Sequence, residues 1–499
     1  MRWKKVAISV AVGLVGIFLL FSIPGRETGT VPASARKAFA WNQDERWKSL
    51  EEQFRCARAA SCQVIRPQIE RQFRIGRRHL EALSILPTDP SSPLLNELED
   101  DVFALGVAVA ACPEEVVEYI KLVAAIRDEA KLQSNNWDVK DRSVRDRLYR
   151  LLYGGRAALE EVMLQMPKGS YPPVVHGRKE GMATPSFTYG EVALHSGDVL
   201  VSRGGAPTSA LIARGNDYPG NFSHVALFHV DEKTGKPSIV ESHIERGVVI
   251  SSLEEYVKDK KLRILVLRLR ADHPQLLKDP LLPHRAAEAA LAEVRRRHIP
   301  YDFAMDFREP SKMFCSEVVS FAYGALGINL WQITTTMSSA GLVQWLFDFG
   351  VRFFETEAPA DLEYDPQLSV VAEWRDPDAL WDDHVDNAVV DALLEAADRG
   401  DRLIYPWYLL APARVVKGFS SALNLLDRVG PIPEGMAAEA ALRNLKLDAI
   451  HKETKKRVLA KAASFEQEHG HRPAYWDLVG LAAQAYKASK QTADSAFLR

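Results

Sequence analysis

Cysteine is scarce in this sequence: Cys56, Cys62, Cys112 and Cys315 are the four among 499 residues. That is too few for a disulfide framework, and the spacings match no tetrahedral zinc set. The sequence leaves open whether one pair among Cys56, Cys62 and Cys112 is oxidised or all three are reduced and buried. Charge of one sign is also lacking. With 63 Lys+Arg against 66 Asp+Glu the net charge is −3, and no long basic stripe interleaves with aromatics. A nucleic-acid partner is thereby disfavoured. Arg203-Gly204-Gly205-Ala206 lacks the following lysine of a phosphate loop, and no His-Glu-x-x-His pair occurs. No cofactor and no metal are therefore expected. Repeats and low-complexity tracts are missing as well, and composition (47% hydrophobic, 26% charged) is that of a chain folding mostly in water.

Long apolar runs are confined to one place. Arg2, Lys4 and Lys5 precede an uncharged stretch from Val6 to Ile23 that ends at Pro24 and Gly25. At 1.5 Å rise per residue such a run nearly crosses a hydrocarbon core of roughly 30 Å, longer than a usual signal-peptide core. The expectation is an uncleaved anchor with a cytoplasmic N-terminus and the body on the extracytoplasmic (periplasmic) side of the cell membrane. Cleavage near Ala33-Ser34-Ala35, giving a secreted protein, is the alternative.

A chain of this length predicts more than one structural unit. From about residue 44 to 167 the apolar positions have helical period, as in Ile65, Ile69 and Phe73, with breaks at Pro87, Pro90, Pro93 and Pro113. After Pro172 and Pro173 the character changes. Short β-branched segments follow at 198–202, 223–230, 238–241, 247–250 and 262–269, with a hairpin turn at Asp231-Glu232-Lys233-Thr234-Gly235. A helix over 284–297, a loop through Pro300 and Tyr301, and a second helix opening at Cys315 come next. One more strand is expected at 368–374, after which helical pattern returns to the end. The expected organisation is an anchor or signal over 1–25, a helical region over 44–167, an α+β domain over 185–376 and a C-terminal helical region over 377–499.

Thiol chemistry needs a nucleophile, an imidazole to take its proton, a group to orient that imidazole, and donors for an oxyanion. Cys315 stands at a helix start, where free backbone N–H groups and the helix dipole are expected to lower a thiol pKa. His224 opens a strand whose alternation puts it on the face of Ala226 and Phe228. Glu241 ends the next strand, and a hairpin brings its carboxylate to the imidazole, giving triad logic in the order His, Glu, Cys. His243 and Glu245 share the Glu241 face and compete for the orienting role. Tyr301 and Asp198 are further candidates to line the site. His229 has the opposite parity, and Glu317 is read as a dipole-favourable residue of the first helical turn. A lone cysteine at a helix start is usually a small buried hydrophobe, so the weight rests on the ordered set.

Five segments together resemble the permuted papain-like hydrolases related to NlpC, the YiiX/YebB-like group: Gly197-Asp198-Val199-Leu200, Ser223-His224-Val225-Ala226-Leu227, Val240-Glu241 with Gly247-Val248, Pro300-Tyr301-Asp302-Phe303 and Phe314-Cys315-Ser316-Glu317. In ordinary papain-like enzymes the cysteine precedes the histidine; here His224 precedes Cys315, as in the permuted relatives. The resemblance covers roughly 194–374 and implies a small antiparallel sheet with a cysteine-bearing helix, flanked here by all-helical regions. It favours Glu241 for the acidic role. It further implies cysteine-dependent amide hydrolysis or acyl transfer, with a peptide or acyl-amide substrate; export favours cell-wall peptides among these. A different reading, motivated by the long helical flanks, is a binding or scaffolding protein whose arms contact a protein partner. Membrane acyl transfer is a third.

Overall fold

The computed structural model describes residues 15–16, 18–25, 37–375, 377–426 and 428–497. Most of the apolar run, residues 6–14 and 17, lies outside them, as does Ala33-Ser34-Ala35. Among the described residues no helix is long and apolar enough to cross a membrane.

Among the described residues from 37 onward, five helices come first: α1 (Asp44–Ala59), α2 (Cys62–Ile85), α3 (Pro93–Ala110), α4 (Val116–Ser134) and α5 (Arg142–Leu164). Their starts are locally encoded. Ser92, just before Pro93, accepts from Leu94 N, and Asp141 accepts from Ser143 N at 2.7 Å, satisfying first-turn donors that have no partner inside the helix. Ile65, Ile69, Phe73 and Leu83 of α2 are buried on one face, as their spacing predicts. Cys62 and Cys112 form a disulfide, Cα–Cα 5.1 Å, tying the start of α2 to the end of α3. Of the two outcomes the sequence left open, oxidation of one pair holds. Cys56 is free and exposed, and Cys315 is free and buried.

The middle of the chain carries β1 (Val174–His176), β2 (Ser186–Tyr189), β3 (Val192–His195), β4 (Val199–Gly204), α6 (Pro207–Arg214), β5 (His224–Val230), β6 (Pro237–His243), β7 (Gly247–Ser251), α7 (Leu253–Lys258), β8 (Lys261–Leu269), α8 (Pro274–Lys278), α9 (Leu282–Arg296), α10 (Cys315–Gly324), β9 (Thr335–Thr336), α11 (Ala340–Phe349), β10 (Glu355–Thr356) and β11 (Leu368–Arg375). Seven strands form one antiparallel sheet in the order β1-β11-β8-β4-β5-β6-β7. The period of two divides its side chains between two cores. Val201, Val225, Leu227, Val240 and Leu267 pack with Ala286 and Ala290 of α9 and Val318 and Val319 of α10. Leu200, Ala226, Phe228, Ile239 and Val266 pack on the other side with Leu194 and with Leu253 and Tyr256 of α7. Each such fully buried aliphatic side chain contributes about 1.5–3 kcal/mol. The architecture is α+β with helical flanks.

Four helices complete the chain: α12 (Pro377–Asp398), α13 (Leu410–Asn424), α14 (Ala438–His469) and α15 (Tyr475–Phe497). A buried ionic network joins these helices to the sheet and to the N-terminal helices. Arg263 of β8 donates to Glu160 of α5 at 3.1 Å and to Asp383 of α12 at 2.8 Å. Arg203 of β4 also faces Asp383, at 3.3 Å. Glu373 of β11 receives Arg375 at 2.7 Å, Arg127 at 3.2 Å and Arg156, which also binds Glu363. An arginine in the middle of an apolar strand is costly alone; here each guanidinium meets carboxylates from a different part of the chain.

Candidate active site

The hairpin β5–β6 builds the first half of the site. Ala226 is registered against Glu241, so the period of two puts Glu241 on the same face as His224, diagonal to it. His224 Nε2 lies 2.7 Å from Glu241 Oε2. His243 Nε2 stands 3.0 Å from Glu241 Oε1 on the other side, so one carboxylate is held between two imidazoles. Among the described residues His224 Nδ1 makes no hydrogen bond.

The second half is brought in by β7 and the loop before α10. Gly247 has φ +69°, and a Cβ there would lie 2.1 Å from Ile299 O. Only glycine lets the Ile299–Pro300 backbone lie against the strand, where Val248 N donates to Ile299 O at 2.9 Å. Pro300 O in turn accepts from Met313 N at 3.0 Å, and Ser242 Oγ donates to Met313 O at 2.7 Å. The residues just before Cys315 are thus fastened to the strand that carries Glu241. Gly247→Ala is expected to cost on the order of 1–3 kcal/mol through its positive φ and the forced loop shift. Thermal unfolding and turnover of the variant check this, and turnover should fall further than the lost stability alone explains.

Cys315 is the first residue of α10, and Glu317 accepts from Phe314 N at 2.7 Å. The thiol sulfur lies 4.0 Å from Ser223 O, the carbonyl directly preceding His224. Among the described residues no hydrogen bond joins the sulfur to the imidazole.

Electrostatics departs from the sequence expectation at the thiol. The helix start does not lower it: burial pushes Cys315 up to about 11, and backbone donors at Val225 and Ser316 offset only part of that. A thiolate stripped of water costs more here than the helix terminus returns. Burial likewise lowers the His224 pKa, with Glu241 opposing, so the imidazole is neutral near pH 7. Burial disfavours the Glu241 carboxylate, yet the neighbouring His224 and His243 outweigh it and hold the group well below its usual range. Glu317 is raised to about 9, chiefly by burial. The resting pair is therefore a neutral thiol and a neutral imidazole backed by a carboxylate.

These groups open on a cavity of about 1200 Å³. Cys315, His224, Ser223, His243, Glu245 and Tyr301 contribute to its lining. Much of the remainder is apolar and comes from α6 and the C-terminal region: Ile212, Val416, Ile432, Met436, Leu442 and Leu445. The sequence gives no sign that this region walls the site, because which helix packs over a strand end is decided by tertiary contacts.

One other candidate falls elsewhere, as does His229, which parity sets apart. Asp198 does not line the cavity; it is buried and takes two bonds from Arg268 at 2.7 Å and one from His195 N at 2.8 Å, closing the start of β4. His229 bonds Ser238 Oγ at 3.2 Å and stacks on His284 on the far part of the hairpin. His224, Glu241 and His243 also have ligand atoms within 4.8 Å of one another, as do His229, His284 and Glu288, so either trio has the spacing to hold a divalent ion.

Residues 193–372 match the family described as permuted papain-like amidase enzyme, YaeF/YiiX, C92 family. No curated protein matches the chain. Among solved structures the chain is similar to the metalloprotein YiiX from Escherichia coli O157:H7, with 21% identity over 35% of this chain and 95% of that chain, at a TM-score of 0.28. The segment containing the His-before-Cys pair, about a third of the chain, thus matches a family of permuted papain-like amidases, which supports a cysteine amidase or peptidase type of enzyme.

Proposed function

We propose that this chain is a cysteine amidase that hydrolyses amides bearing long apolar acyl groups, with Cys315 as nucleophile, His224 as base and Glu241 as the group that orients it. The observation that carries the reading is that Cys315 and His224 line one cavity whose remaining wall is largely apolar, with Glu241 buried behind His224 at 2.7 Å. The apolar part of that lining, Leu442 and Leu445 among it, suits the acyl chain of an N-acyl amide, while Asp259, Lys260, Lys261 and Asp448 of the same cavity can meet its polar end.

In this reading Cys315 Sγ attacks the amide carbonyl as its proton passes to His224 Nδ1. Because the thiol starts neutral, transfer accompanies attack rather than preceding it. The Cys315 backbone N–H, free at the helix start, faces the developing oxyanion. The imidazolium, stabilised by ionised Glu241, then gives its proton to the leaving amine, and the C–N bond breaks to leave a thioester. Water, deprotonated by His224, attacks the thioester, releasing the fatty acid and restoring the thiol.

The test is turnover of a chromogenic anilide with a long acyl chain beside an acetyl anilide and a muropeptide. The long-chain anilide should be the best substrate by kcat/KM; preference for the muropeptide would overturn the acyl-amide assignment while leaving the thiol mechanism standing. Adding an amine or alcohol acceptor separates hydrolysis from acyl transfer. The spacing of His224, Glu241 and His243 motivates a metal-dependent alternative, and retained turnover in a chelator speaks against it.

A pH profile follows from the imidazole. Turnover requires neutral His224, so the acid limb of kcat/KM should have its midpoint below 6.5. Glu241 raises the His224 pKa, so Glu241→Gln should move that midpoint further down while lowering the plateau by roughly 10²–10⁴-fold. A midpoint that rises in the variant would contradict the pairing.

A further inference from the structure

The surface around helix α13 is largely exposed and apolar: Val415 and Phe419 (58% exposed) on the helix, Leu425 (87%) and Leu426 just past its end, and Ile404 and Trp407 before it. Single exposed apolar residues need no explanation, but a contiguous set of this size around one helix does. Charge points the same way. From Arg402 to Leu426 the sequence holds the cations Arg402, Arg414 and Lys417 and no Asp or Glu; Arg414 pairs with Glu439 and Arg402 with Asp348 from outside the stretch. A helix with aromatic and aliphatic residues outward and cations beside them is suited to the interfacial layer of an anionic bilayer.

Two further observations select a bilayer over a protein partner. The described end of the N-terminal apolar run lies against this helix: Arg414 Nη1 donates to Phe21 O at 3.0 Å and to Ile23 O at 2.7 Å, and the Phe18 ring meets Trp407 at 6.3 Å. Leu19, Leu20 and Ile23 there are also exposed, so two separate parts of the chain extend one apolar surface. Moreover Pro412, Ala413 and Val416 of the same helix line the cavity that holds Cys315.

We propose that Trp407 and the outward residues of α13 insert into the interfacial layer of an anionic bilayer, so that an acyl chain passes from the lipid along α13 into the cavity. The docking stands on the surface alone; the passage of an acyl chain rests on the amidase reading above. Cys62–Cys112 is consistent with the oxidising, extracytoplasmic side.

The experiment uses the full chain in phosphatidylcholine vesicles containing phosphatidylglycerol. A nitroxide is placed at Phe419→Cys in a Cys56→Ser, Cys315→Ala background, with a control label at exposed Lys236→Cys on the hairpin turn. The label at 419 should be reached by oxygen and shielded from a water-soluble nickel relaxant, and the control label the reverse. A label at 419 open to nickel overturns the docking, as does one shielded from both agents together with dimer formation, which would mean that a second copy covers the face. Phe419→Asp with Leu426→Asp should then slow hydrolysis of a vesicle-embedded long-chain anilide several-fold while leaving the soluble acetyl anilide unchanged. Equal loss on both overturns the delivery role, and no hydrolysis of either substrate by the parent chain counts against the amidase reading and leaves the docking result intact.

Discussion

Cys315→Ala should abolish amide turnover, by roughly 10⁴-fold or more, in a protein that still folds. The substitution removes one sulfur that makes a long contact to Ser223 O and lies near the backbone donors of Val225 and Ser316, so little packing is lost. His224→Ala should cost a similar factor, and the double variant little beyond either single one, because the two residues act as one unit in both halves of the reaction. A steady-state assay on the long-chain anilide, with circular dichroism to confirm folding, measures all three. Additive losses in the double variant would mean that the residues do not cooperate and would remove the base from His224.

Arg263→Ala should destabilise the protein by about 3–5 kcal/mol, far more than any exposed charge substitution. Arg263 is the shared partner of Glu160 and Asp383, and its loss leaves both carboxylates buried without their main counter-charge. Coulombic attraction from Arg263 is the main influence opposing burial at Glu160 and keeping that group ionised. Replacing Arg55, whose partner Glu52 is largely exposed, should cost less than about 1 kcal/mol. Because Glu160, Arg263 and Asp383 sit on α5, β8 and α12, the loss should appear in denaturant unfolding as one transition moved to lower denaturant. Separate transitions for the helical flanks and the sheet would show that the network does not couple them.

The parts of this molecule legible in the sequence are those set by local periodicity and order. The hairpin holding His224 and Glu241 could be read because alternation fixes facing and the Asp231–Gly235 turn fixes the return; Gly235 indeed has φ +66°. Cys315 could be placed at a helix start because apolar positions resume their helical spacing there. Strand β1 is not legible, since three residues give a period too few repeats to register, and helix α11 is not, although it is as long as α10. Arg263 stood in the sequence as an alternating strand end, and only the meeting of distant carboxylates explains its burial. The thiol shows the same divide most sharply. Its helix position is local and was legible; the burial that reverses its expected pKa shift is tertiary and was not. Asp198 beside Gly197 matched a site motif in sequence, but Arg268 on the neighbouring strand takes it out of the site. The apolar cavity wall between Leu409 and Leu445 follows from packing of the C-terminal helices and has no signature beyond a stretch poor in carboxylates.

The most direct test of the central claim is to mix the enzyme with the long-chain anilide, quench in acid within a turnover and map the acylated peptide by mass. The account predicts the acyl group on Cys315, absent in Cys315→Ala and slow to form in His224→Ala. Turnover of the anilide with no acyl group on Cys315 at any time before completion, or with the acyl group on exposed Cys56 instead, would contradict it.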